Sequence, residues 1–91
     1  MSDADRSAMA EVLLLNDDET TMEFVVEVLE DVFGKTRYQA LKLMLQIHRH
    51  GSGKCGVYTV EQASDIVARV AELARRDGYP LRCTTKPHSS A

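Results

Sequence analysis

Residues 12–22, VLLLNDDETTM, are the most informative part of the chain about its fold. Its first four residues form a short continuous apolar run, which predicts a buried strand. The next seven, residues 16–22, are dense in carboxylate, amide and hydroxyl groups, and an amphipathic helical pattern follows from Glu23 onward. Thr20 is predicted to be the N-cap of that helix, with Glu23 as its N3 partner in a capping box. The stretch therefore predicts a polar turn between a strand and a helix, where the positive helix end favours the two aspartates.

Outward from this turn, hydrophobic periodicity, capping pairs and helix-stopping glycines divide the rest of the chain. The predicted elements are a strand at 12–15, a helix at 21–33, a helix between Thr36 and Gly51, a strand at 54–59, a helix between Thr59 and Gly78, and a strand at 81–85. The order β-α-α-β-α-β predicts an α+β domain, with a small three-stranded sheet, antiparallel or mixed, packed against three helices. Residues 12–85 form the predicted core, with a flexible extension at 1–11 and a flexible tail at 86–91.

Composition excludes several classes of function. The chain has 91 residues, 44% of them hydrophobic, which is typical of one small globular domain. A net charge of −3 disfavours nucleic-acid binding, and no apolar run approaches the length of a membrane span. The polar, acidic start does not resemble a secretion signal, and two cysteines 28 positions apart favour a reducing compartment. We therefore expect a cytoplasmic protein.

Neither a metal centre nor a catalytic site is favoured by the pattern of reactive residues. Cys55 and Cys83 fall in predicted strands and are expected to be buried free thiols. Their spacing to His48 and His50 matches no usual zinc pattern, and no nucleophile motif accompanies the acidic turn. We expect no cofactor, no metal and no enzymatic activity.

Four blocks of sequence together resemble the ClpS family of Clp protease adaptors. In order they are NDD-x-T-x-MEFV at 16–25, LML-x-IH at 43–48, CGVYT at 55–59 and PL-x-CT at 80–84. Taken alone, His48 on an apolar stripe, or the acidic turn, would be typical of ordinary packing or capping. The four blocks in sequence cover almost the whole predicted core.

The resemblance implies a pocket for the first residue of another protein, an N-degron, which the adaptor passes to an AAA+ unfoldase of the ClpA type for degradation by ClpP. In the family an Asn, an Asp and a His hold the α-amino group, and these positions are Asn16, Asp17 and His48 here. Accepted first residues are Phe, Leu, Tyr and Trp. The positions that match the hydrophobic pocket are Asp18, Thr20, Met22, Val25, Met44, Ile47 and Leu81. Met22 matches the residue that excludes β-branched side chains.

The chemistry of these groups agrees with the resemblance. An α-ammonium has three donors and no acceptor, so it requires an amide oxygen, a carboxylate and a neutral imidazole nitrogen. The carboxylate also supplies the compensating charge, and such charge-assisted hydrogen bonds are about twice as strong as neutral ones. An internal peptide bond offers no ammonium, so the polar trio would select chain ends.

The chain departs from the family pattern at three places. Thr21 replaces the usual Pro of the acidic turn, the N-terminal extension is short, and Ile66 replaces a common Lys on the unfoldase-facing helix. Glu61 matches the family's unfoldase contact. We expect a monomer that binds N-degrons and the unfoldase N-domain. The alternative is a non-catalytic interaction module whose acidic turn only caps a helix.

Overall fold

The computed structural model describes residues 8–88, and its elements follow the predicted order. They are β1 Met9–Leu15, α1 Met22–Asp31, α2 Arg37–His50, β2 Ser52–Thr59, α3 Val60–Asp77 and β3 Arg82–Pro87. The strands form one sheet in the order β2-β1-β3, and both strand pairs are antiparallel. The predicted α+β architecture is confirmed, and of the two predicted sheet types the antiparallel one is present.

The first and last strands in the sequence, β1 and β3, are longer than predicted. β1 begins at Met9 rather than at residue 12, and Ala10, which is buried, pairs with Tyr58 on one side and Pro87 on the other. The His88 N–H donates to the Met9 carbonyl oxygen at 3.0 Å. The predicted extension and tail are therefore wrong for residues 9–11 and 86–88, because β1 lies between two partners that bind its backbone groups on both sides. Residues 1–7 and 89–91 lie outside the described residues.

The core forms between one face of the sheet and the helices. Every second residue of β1 is buried, and Val12 and Leu14 have no exposed surface. Such alternation is expected of an antiparallel sheet that is covered on one face. Val28 and Leu29 of α1 and Val70 of α3 are equally buried on the helical side.

α2 has apolar residues on two faces, but only one of them is buried. A helix with two apolar faces is typically buried between neighbours, whereas Leu41 and Leu45 are 40% and 42% exposed. Ala40, Met44 and Ile47 are buried and form the face that packs inward. α2 therefore covers the core with one side only and leaves an apolar outer side next to α1.

Capping fixes the ends of α2 and α3 as predicted. Thr36 with Gln39, and Thr59 with Gln62, form complete capping boxes. Gly51 ends α2 in the left-handed conformation, with φ of 89°. Within residues 8–88 none of the helices combines the length and the apolar character that crossing a membrane would require.

Candidate functional site

A cavity of about 380 Å³ opens between the acidic turn and α2. It is lined by residues 16–22, Val25, Met44, Ile47 and His48. Its volume lies within the roughly 300–1,000 Å³ of small-ligand pockets. One wall of the cavity is polar and the other is apolar, so the cavity suits a ligand with one charged end and one apolar end.

The register of the sheet brings Asn16 and His48 to the same cavity although they are far apart in sequence. Leu15, the last residue of β1, pairs with Ser52, the first residue of β2. The Asn16 N–H then donates to the Gly51 carbonyl oxygen at 2.8 Å, which fixes the start of the turn against the end of α2. Since His48 lies in the last turn of α2, this pairing places it opposite the acidic turn.

Asp17 is the centre of the turn's hydrogen bonds. Its Oδ1 accepts from the backbone N–H groups of Glu19 at 2.9 Å and Thr20 at 2.7 Å. Its Oδ2 accepts from the Thr20 hydroxyl at 2.7 Å. A carboxylate has about four acceptor positions, so these three donors leave capacity for one further donor from a ligand.

The same hydrogen bonds keep Asp17 ionised. Burial acts to raise the pKa of Asp17, but the bonds from Thr20 and Glu19 outweigh burial and hold the pKa below its ordinary 3.8. Donors that stabilise a carboxylate favour its charged form. At neutral pH the turn therefore presents a fixed negative charge at the rim of the cavity.

The capping residue of α1 is Thr21 and not Thr20, so the predicted capping box with Glu23 is wrong. The Thr21 hydroxyl oxygen accepts from the Phe24 N–H at 3.1 Å, and α1 begins at Met22. The Thr20 side chain is directed the other way, toward Asp17, to whose Oδ2 its hydroxyl donates at 2.7 Å. Thr21 has a φ of −70°, close to the value that proline imposes, so its backbone conformation is one that Pro could also adopt.

The apolar wall comes from two helices. Val25 of α1 and Met44 and Ile47 of α2 are almost fully buried beneath the cavity, while Met22 is 47% exposed at its edge. Methionine is flexible and polarisable, so Met22 and Met44 can adapt to differently shaped apolar ligands. Asp18 and Thr20 complete the lining on the polar side.

One residue predicted for the hydrophobic pocket, Leu81, is not among those that line this cavity. Leu81 is buried immediately before β3 and lines a different cavity, of about 240 Å³, with Val67 and Ala71 of α3. The chain around it still lies beside the acidic turn, because Arg82 pairs with Leu15 and, together with Pro80, lines a small cavity with Asn16 and Asp17. Glu61, the predicted unfoldase contact, is exposed in the first turn of α3.

Two lining residues were not predicted. Glu19 and Thr21 face the cavity because the whole turn, rather than alternate residues of it, forms the polar wall. Their position inside the quoted stretch 16–22 was the available indication.

The free thiols lie in the strands, with Cys55 buried and Cys83 half-buried. Burial raises the pKa of Cys55 to about 12 and that of Cys83 to about 11, so neither is activated as a nucleophile. Among residues 8–88 no three His, Cys, Asp or Glu side chains are grouped in a way that could hold a metal ion.

Comparison with known proteins gives a consistent result. Residues 5–84 match the family model of the ATP-dependent Clp protease adaptor protein ClpS. The Clp protease adapter ClpS of Phenylobacterium zucineum is 57% identical over 79 residues, which cover 87% of this chain and 72% of that protein. The ClpS of Nitratidesulfovibrio vulgaris strain DP4 is 59% identical over 78 residues, covering 86% of this chain and 75% of that protein.

A solved structure agrees with these relatives. The structure of Agrobacterium tumefaciens ClpS2 bound to L-phenylalaninamide superposes with a TM-score of 0.87 at 35% sequence identity. It covers 91% of this chain and all of the other.

Proposed function

The chain belongs to the ClpS family of non-catalytic Clp protease adaptors, and we propose that it binds the first residue of N-degron proteins in the cavity beside α2. The accepted first residues are Phe, Leu, Tyr and Trp. The bound substrate is delivered by a monomeric adaptor to the N-domain of a ClpA-type unfoldase, and ClpP then degrades it. The two free cysteines favour the reducing cytoplasm as its compartment.

One observation carries this proposal: the side chains of Asn16, Asp17 and His48 line one cavity together with Val25, Met44 and Ile47. The first three offer acceptors and a negative charge to an α-ammonium. The last three offer an apolar surface to the side chain of the same residue. The ligand of the Agrobacterium tumefaciens structure, L-phenylalaninamide, has this combination of free amine and aromatic side chain.

The apolar wall accounts for most of the affinity. Burying an aromatic side chain removes about 150–250 Å² from water, equivalent to roughly 4–6 kcal/mol before the costs of ordering. The polar wall accounts for the selection of chain ends, because an acetylated or internal nitrogen carries no charge for Asp17 to compensate. Affinity and selectivity thus come from different walls.

Peptide binding tests the proposal directly. We expect a fluorescent peptide that begins with Phe to bind, and its N-acetylated form to lose about 30-fold or more, since about 2 kcal/mol of charge-assisted bonding disappears. His48→Ala should weaken the free peptide in the same way. His50→Ala is the matched control, because His50 is exposed on the same helix but does not line the cavity.

Equal affinity for free and acetylated peptides would overturn the proposal. That result would favour the alternative, a general interaction module in which residues 16–22 only connect a strand to a helix. Loss of binding in His50→Ala as large as that in His48→Ala would also contradict the assignment of the polar wall.

Met22 is proposed as the gate that rejects β-branched first residues. It is half exposed at the cavity edge, so truncation widens the entrance with little loss of core packing. We expect Met22→Ala to bind peptides beginning with Val or Ile, which the unmodified protein rejects. Continued rejection by the variant would assign the selectivity to another residue.

Glu61 is proposed to contact the unfoldase N-domain. It is exposed on α3, on an element other than those that form the cavity, so the two functions can be separated. Ile66, which replaces a common family Lys, is half-buried against the core and presents no charge. We expect Glu61→Arg to weaken binding to the purified N-domain while peptide affinity is retained; joint loss of both would contradict this assignment.

A further inference from the structure

A second groove, which the proposed N-degron pocket does not use, runs between α1 and α2. Its volume is about 460 Å³, and it is lined by Glu23, Val26, Glu27 and Glu30 of α1 and by Arg37 and Leu41 of α2. Met22 and Met44 line both this groove and the candidate cavity. The two hollows are therefore neighbours that share a wall of two methionine side chains.

The groove combines apolar surface with negative charge. Leu41 is 40% exposed and Met22 47% exposed, so apolar atoms face solvent along it. Glu23, Glu27 and Glu30 are spaced four and three residues apart and lie on one side of α1. An amphipathic cation matches this combination, because its methylene stem covers apolar surface while its charged head remains near carboxylates.

Glu23 is the carboxylate with the most capacity for a new partner. Glu30 already accepts from Arg37 at 3.4 Å, and the charge of Glu27 acts on Arg76 from the other side of α1. Within residues 8–88 the ion pairs do not include Glu23, which lies next to Met22 at the shared wall.

We infer that the α1–α2 groove receives the side chain of the third residue of the bound substrate, and that it prefers Lys or Arg there. This rests on the proposed function, in which the first side chain occupies the candidate cavity. In an extended chain the first and third side chains point to the same side, about 7 Å apart, while the second points away. The candidate cavity and the α1–α2 groove are separated only by Met22 and Met44, so the first side chain can occupy the cavity while the third occupies the groove.

A panel of peptides with a free N-terminal Phe tests the inference. The third residue is Lys, norleucine, Ala or Glu, and the same four residues are placed at position two or four in control peptides. We expect Lys at position three to bind about 2- to 5-fold more tightly than norleucine, the range for an exposed charge contact, and the difference to shrink at high salt. Glu at position three should bind more weakly than Ala.

Variants separate the two parts of the groove. Glu23→Gln should remove the advantage of Lys over norleucine, whereas Glu72→Gln, an exposed change on α3, should leave it intact. Leu41→Ala should weaken the peptides with Lys and norleucine at position three alike, and leave the Ala peptide unchanged, because Ala does not reach Leu41.

The outcomes distinguish this inference from the proposed function. If free and acetylated Phe peptides bind equally, the N-degron pocket fails and the groove inference fails with it. If dependence on the free amine is intact, the inference alone is overturned by indifference to the third residue, by an equal preference at positions two and four, or by an unchanged preference in Glu23→Gln.

Discussion

Gly53→Ala tests whether close contact between β2 and α2 holds the candidate site together. Gly53 is buried in β2 and pairs with Leu14 of β1. A Cβ atom at this position would lie 2.6 Å from Cγ1 of Ile47 and 3.1 Å from Cδ1 of Leu43. Carbon atoms prefer about 3.5–4.0 Å, so the added methyl group requires a separation of roughly 1 Å more.

The added methyl group can be accommodated either by the Ile47 side chain or by the backbone of α2. Ile47 is only 2% exposed, and a β-branched side chain in a helix strongly prefers one χ1 rotamer, so a rotamer change is an unfavourable way to clear the methyl group. We therefore expect the backbone of α2 to shift, and overpacking of this kind costs about 1–3 kcal/mol. In a domain of this size each kcal/mol lowers the melting temperature by roughly 4–8 °C. Because α2 also carries Met44 and His48, we expect weaker binding of a Phe peptide as well.

Gly56→Ala is the matched control in the same strand. Its Cβ would meet the Tyr58 ring at 2.7–2.8 Å, but this is the far end of a half-buried side chain that can swing away. Urea unfolding and peptide anisotropy would be measured for both variants. The reasoning is refuted if Gly53→Ala unfolds within about 0.5 kcal/mol of the unmodified protein, the range of ordinary surface changes, or if Gly56→Ala is the more damaging.

Three further results are expected. Asp17→Asn should be less stable than the parent at neutral pH, because the pKa of Asp17 is lowered in the folded protein. The ionised carboxylate therefore contributes to the free energy of unfolding above the unfolded pKa of 3.8, and this contribution is lost as the pH falls through the lower folded pKa. Urea unfolding from pH 7 to pH 3 should show the difference in unfolding free energy between parent and variant becoming smaller, and a constant difference would contradict this. Thr59→Ala should cost about 1 kcal/mol through loss of the α3 cap, while Thr85→Ala, exposed in β3, should cost less in the same assay. A thiol reagent at pH 8 should modify Cys55 slowly in the folded protein and rapidly after unfolding, because burial raises the pKa of this thiol to about 12; rapid modification of the folded protein would refute this.

Local sequence was informative wherever a short pattern has one dominant physical solution. The pairs Thr36 with Gln39 and Thr59 with Gln62 form the predicted capping boxes, and Gly51 and Gly78 end their helices in the left-handed conformation. These features depend on hydrogen bonds within one turn of helix, so neighbours in sequence are enough to predict them.

Local sequence was misleading where two neighbouring residues compete for one role. Thr20 and Thr21 are equally suitable caps by type, and the outcome depends on Asp17, whose Oδ2 accepts the Thr20 hydroxyl. Gly53 lies outside the predicted strand at 54–59 but belongs to β2, where Ile47 crosses it so closely that only hydrogen fits. Neither outcome is visible without the partner in space.

Residue patterns were enough to predict the elements, their order and, through the four family blocks, the residues proposed to hold a chain terminus. Which of these residues share a cavity depends on the packing of the whole domain. Asn16 meets His48 because Leu15 pairs with Ser52. Leu81 does not line that cavity and borders a different one with Val67 and Ala71, although its neighbour Arg82 also pairs with Leu15. Strand register and strand order are long-range properties, set by how all elements pack at once, and no local pattern contains them.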